Sequence, residues 1–112
     1  MAKKNYGPTK LKKVVTPKPK LPKPLKLRFG APNEMGDVRE FDTEPQLRRA
    51  IIAELRGLEP WCARYNNAGI EAINLAILEV ENMVIVQDKR RISCHYDEYY
   101  DLRIVFEYWR TI

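Results

Sequence analysis

Histidine occurs once in this chain, cysteine twice and glycine only five times. These scarcities narrow the chemistry before any motif is sought. The cysteines, Cys62 and Cys94, make no disulfide framework of the kind that staples small secreted domains, and they show no paired metal-ligand spacing. No glycine-rich phosphate loop can be assembled, and no nucleophile sits on a strained glycine turn. The longest apolar-rich stretch, residues 70–86, is interrupted by Glu71, Asn74, Glu79, Glu81 and Asn82, which excludes a membrane span. The positively charged start is followed by no apolar run of the length a secretory signal requires. A cytoplasmic protein with reduced thiols is therefore expected.

The most informative absence is that of acid. Residues 1–28 contain no Asp or Glu but ten basic side chains: Lys3, Lys4, Lys10, Lys12, Lys13, Lys18, Lys20, Lys23, Lys26 and Arg28. The remaining 84 residues carry ten basic and fifteen acidic side chains, so the net charge of +5 conceals an arm of +10 and a body of −5. Five prolines interrupt the arm, and Pro17, Pro19, Pro22 and Pro24 bias residues 16–25 towards polyproline II. At ~3.1 Å per residue such an arm would extend on the order of 80 Å. Its few apolar residues are separated by lysine and proline, the composition of a segment that is extended or disordered when free.

A lysine that neutralises a phosphate releases counterions and adds salt-sensitive, sequence-independent affinity. Lysine outnumbers arginine in the arm, and Tyr6 is the only aromatic before Phe29. The arm therefore suits point-charge contact rather than base stacking or bidentate base reading. The expected partner is nucleic acid, bound nonspecifically, or else an acidic protein surface within a larger assembly. No membrane partner is expected, and a homodimer is compatible with the exposed aromatics.

The body has room for one small domain. Residues 29–42 read as a transition loop, with Gly30, Pro32, Asn33 and Gly36 as turn formers, after a short strand at 25–29. Thr43 is a good N-cap, with Gln46 at the capping-box position and Pro45 in the first turn. Leu47, Ile51, Leu55 and Leu58 then share one helical stripe, and Gly57 is a stop signal. A short helix is expected from Pro60 to Tyr65. A longer one over 68–81, with Ile70, Ile73, Ile77 and Val80 on one face and Leu75 and Leu78 flanking it, is expected to be the most buried.

Beyond Asn82 the period changes from helical to extended. Residues 83–86, 91–96 and 100–109 are expected to form three antiparallel strands, turning at 87–90 and 97–99. In the last strand Leu102, Ile104, Phe106 and Tyr108 oppose Arg103, Val105, Glu107 and Trp109. The expected architecture is α+β: two to three helices packed on a C-terminal three-stranded antiparallel sheet, behind the basic arm. The compact domain is placed at 43–112.

Three groups of side chains beyond the arm invite a functional reading. Arg48, Arg49 and Arg56, with Lys89, Arg90 and Arg91 at a hairpin tip, would extend the basic surface onto the body. The geometry of a helix beside a basic turn suits a winged-helix reader, but no second polar helix exists to enter a groove. Cys94, His95, Asp97 and Cys62 could supply metal ligands by type, but adjacent Cys94 and His95 would face opposite sides of a strand. No catalytic, metal or cofactor site is expected, and the protein is read as non-enzymatic. Tyr96, Asp97, Glu98, Tyr99, Tyr100 and Trp109 are expected to contact a protein partner, since large rings beside charges are enriched at binding hot spots. The function expected is that of an accessory protein attached to nucleic acid or a nucleoprotein assembly by its arm. The alternative is a virion-type structural component, or a regulator of a large protein, whose arm lies in an acidic groove.

Overall fold

The computed structural model describes residues 23–111. What the sequence leads one to expect of Lys3, Lys4, Lys10, Lys12, Lys13, Lys18 and Lys20 lies outside the described residues. Leu25, Leu27 and Phe29 alternate with Lys26, Arg28 and Gly30, the period of a strand with one apolar face, and form β1 (Leu25–Ala31). Pro32 and Asn33 turn the chain into β2 (Glu34–Met35), and β3 (Arg39–Phe41) then returns alongside the start of β1. Gly30 allows the approach, because a Cβ there would collide with the Glu34 carbonyl oxygen.

Helix α1 (Glu44–Arg56) opens with the capping box: Thr43 Oγ1 accepts from the Gln46 N–H, and Gln46 Oε1 accepts from the Thr43 N–H. It buries Leu47, Ile51 and Leu55. Helix α2 (Glu59–Tyr65) buries Cys62, and α3 (Ala68–Asn82) buries Ile73, Ile77 and Val80. Strands β4 (Arg90–Asp97) and β5 (Leu102–Arg110) close the chain as a hairpin. Among the described residues no helix is long and apolar enough to cross a membrane.

The sheet is antiparallel throughout, with β1 paired to β2 and β3 on one side and to β5 on the other, and β4 at the far edge. Its first and last strands in sequence are thus neighbours at the centre. The helices cover one face, where Leu25, Leu27, Ile92, Cys94, Phe106 and Tyr108 join the buried helix residues in one core.

The α+β class and the helices match the sequence reading, whereas the sheet is larger than expected. It has five strands rather than three: the short strand expected at 25–29 is β1 and joins the sheet, and residues 29–42, read as loop, supply β2 and β3. Of the expected turn formers, Pro32 and Asn33 do make the turn, whereas Gly30 lies within β1, paired with Met35 and Val105, and Gly36 follows β2. Strands β2 and β3 are two and three residues long and gain their partner only from β1. Residues 83–86 form no strand. Their alternation is real, with Met83 and Ile85 buried and Val84 exposed, but the stretch passes the end of β5 and is held there by the Arg110 N–H donating to the Val86 carbonyl (2.8 Å). Helix α3 is apolar on more than its buried face: Leu75 and Leu78 remain 62% and 54% exposed.

Gly69, in the first turn of α3, sets how closely that helix meets the sheet. A Cβ there would collide with the Tyr96 carbonyl oxygen and stand 2.6 Å from Cys62 Sγ. Backbone and a buried sulfur cannot yield as a surface side chain would. Gly69→Ala should therefore cost about 1–3 kcal/mol through overpacking, read as a lower urea midpoint at unchanged slope. An unchanged midpoint would show that the helix is free to shift.

Candidate nucleic-acid interface

The face of the sheet opposite the helices carries the alternate residues of β1, β5 and β4. Strand register sorts them into rows across the sheet. Lys26 pairs with Trp109; Arg28 pairs with Glu107, which pairs with Arg91; Gly30 pairs with Val105, which pairs with Ser93; and Arg103 pairs with His95. Lys89, just ahead of β4, extends the first row by placing Nζ 4.8 Å from the centroid of the Trp109 ring. Successive rows are about 6.7 Å apart along the strands.

Glu107 organises the middle of this face. It is 5% exposed, and it accepts from Arg28 Nε at 2.8 Å and from Arg91 Nε at 3.3 Å. Burial alone would raise its pKa, but the bond and charge of Arg28, then Arg91 and Lys89, outweigh that and hold it below the usual carboxylate value. Lys26 Nζ lies 2.6 Å from Glu40 Oε2, and that ion pair lowers the Glu40 carboxyl in turn. Arg103 and His95 both approach Asp101 Oδ1, at 3.3 and 3.0 Å. Lys26, Arg28, Lys89, Arg91 and Arg103 thus outnumber Glu40, Glu107 and Asp101, so the face keeps a positive excess with its cations held in place.

Glu107→Gln should lower stability at neutral pH by about 1.5–3 kcal/mol, the scale of a hydrogen bond to a charged group. The carboxyl titrates lower in the folded than in the unfolded chain, so its stabilisation is complete above the ordinary value of 4.5 and is lost as pH falls through the folded value. The stability gap between wild type and variant should therefore close in acid below that range. A gap that persists unchanged at pH 3 would show that Glu107 acts through packing rather than charge.

The other residues singled out from the sequence fall in separate places. Arg48 donates to Glu44 and to the Met83 carbonyl, and Arg56 pairs with Glu59. With exposed Arg49 they belong to α1, in the helical layer, whereas Lys89 and Arg91 lie on the opposite face of the sheet. Arg90 pairs with Tyr108 on the helix side. With residues 83–86 forming no strand there is no hairpin tip here. Lys89 just ahead of β4, and Arg90 and Arg91 at its start, are divided by the sheet and do not continue the α1 arginines. Lys23 is exposed, one residue before Pro24, whose carbonyl accepts from the Thr111 N–H at 2.9 Å.

The tyrosine-rich turn is also divided. Tyr99 and Tyr100 are 86% and 65% exposed, edge to face at 4.7 Å, beside exposed Glu98. Asp97 is 2% exposed and offers no surface; its Oδ1 accepts from the Tyr100 N–H at 3.1 Å and shapes the turn, in which Asp101 adopts a φ of 55°. Tyr96 is half-buried edge-on to Trp61. Trp109 stands near the other end of β5, on the open face.

Cys62 and Cys94 are buried as free thiols in the core. Burial, and after it the neighbouring Cys62, pushes Cys94 up to about 11, and burial also raises Cys62. Neither supplies a thiolate nucleophile at neutral pH. Cys94 faces the helices and His95 the open side, and among the described residues no group of three or more His, Cys, Asp or Glu could hold a metal ion.

Comparison of the chain with protein-family models, with curated proteins and with solved structures finds no match.

The open sheet face escaped the sequence reading as a unit, although its signal was present. Lys26 and Arg28 alternate with Leu25, Leu27 and Phe29, and Arg91, Ser93 and His95 alternate with Ile92 and Cys94. What was missing was the pairing that brings these strands side by side.

Proposed function

We propose that this is a non-enzymatic accessory protein that attaches to nucleic acid through the cations of its arm and of the open sheet face. The observation that carries the reading is the join between them. The acid-free run of ten cations ends at Lys26 and Arg28, and these two residues stand in the same rows as Trp109, Glu107 and Arg91. Phosphate backbones are the ligand that such a surface suits, because each added contact releases counterions. The exposed Tyr99–Tyr100 pair with Glu98, in the turn between β4 and β5, supports a second contact by the body with a protein partner.

The alternative, an arm seated in an acidic groove of a large protein, shares the charge argument but leaves the sheet face without a role. Titration of the intact chain with a random-sequence duplex and with single-stranded RNA at ~50 mM salt tests the reading, since phosphate contacts are strongest at low ionic strength. Saturable binding of either is expected. A flat response to both would favour the protein groove.

A further inference from the structure

We infer that the open sheet face takes single-stranded nucleic acid in particular, with one base stacked on Trp109 and the flanking phosphates on Lys89 and Arg91. The inference rests on the nucleic-acid reading above and adds the strand class and the residue that selects it. Trp109 is the aromatic centre of the first row, set between Lys26 on β1 and Lys89 just ahead of β4. Glu107, immediately behind it, orients Arg28 and Arg91 towards the same side. An aromatic ring among cations on an uncovered sheet face holds an unstacked base by its π-face and the backbone by charge. A duplex cannot use the ring without unstacking a base, and an inorganic polyanion has nothing to stack.

Lys89 lies over the ring. A cation over an accessible ring contributes less than a stacked base, so the exchange is favourable. Lys89 is exposed and its stem is long, so the displaced ammonium can move from the ring to a neighbouring phosphate. Lys89 thus has two positions and Trp109 two partners.

The test compares three probes on the full chain: an oligothymidylate, a duplex of the same length, and inorganic polyphosphate of similar charge. Trp109→Ala should weaken oligothymidylate binding by about 5- to 150-fold while leaving polyphosphate binding within about twofold. Trp109→Phe, which keeps a ring, should recover most of the loss. In a Trp61→Phe background the remaining tryptophan reports the site directly, and its fluorescence should be quenched by oligothymidylate but not by polyphosphate. Equal losses for both probes in Trp109→Ala, or equal quenching by both, would overturn the stacking role while leaving the nucleic-acid reading in place. Failure of wild type to bind any of the three would overturn that reading and the inference with it.

Discussion

Replacing Lys3, Lys4, Lys10, Lys12, Lys13, Lys18, Lys20 and Lys23 together by glutamine should lower affinity for random-sequence nucleic acid by on the order of a thousand-fold or more at ~50 mM salt. The estimate follows from counterion release: a protein that makes six to ten phosphate contacts draws most of its nonspecific affinity from them. Removing eight positive charges from a chain of net +5 also makes the whole protein anionic, so long-range attraction becomes repulsion. The substitutions leave Lys26 and Arg28, and with them β1 and its ion pairs, intact. The fold should be unchanged, which a urea midpoint equal to wild type would verify. Fluorescence anisotropy with a labelled oligonucleotide reads the affinity. A variant that binds as tightly as wild type would place the attachment elsewhere on the body.

The second large effect concerns the fold that presents the face. Phe106 lies on β5, paired with Phe29 of β1 on one side and Ile92 of β4 on the other, and is fully buried beneath the helices. Its ring centroid is 5.5 Å from that of Phe29. Truncation leaves a cavity where the three strands and the helical layer meet, so transfer and cavity losses add. Phe106→Ala should cost about 3–5 kcal/mol. Against a total of roughly 4–13 kcal/mol for a domain of this size, that is a large share or all of the stability. Chemical denaturation should show a midpoint far below wild type, or a chain already unfolded at 25 °C. A small shift would mean that the sheet does not depend on this junction.

Much of the fold was legible because its signals are local. The Thr43–Gln46 capping box and the Leu47, Ile51 and Leu55 stripe identify α1 without reference to anything distant. The alternation from Leu102 to Trp109 identifies β5 and assigns its two faces correctly. What was not legible depends on partners far along the chain. Leu25–Ala31 carries a strand period and reads as a short strand at 25–29, but its place at the centre of the sheet depends on the pairing with β5. Residues 83–86 show the opposite failure, a strand-like alternation with no strand beside it.

The site divides along the same line. The arm is visible as composition, and Trp109 is visible as a ring on the polar face of its strand. The burial of Glu107 between Arg28 and Arg91 is not visible, because the three residues belong to three strands. In sequence Asp97 sits with neighbours that are exposed, at a turn whose residues are usually solvated. Its carboxylate instead turns inward to hold the Tyr100 N–H. In both cases an acid that looks like surface decoration in one dimension is a structural anchor in three.

The most direct test of the central claim is the salt dependence of binding by the intact chain to a long single strand of arbitrary sequence. With six or more phosphates neutralised, the plot of log K against log salt concentration should be linear with a slope of about −4 or steeper. A slope near zero, with binding still present, would contradict attachment through the cationic arm and sheet face.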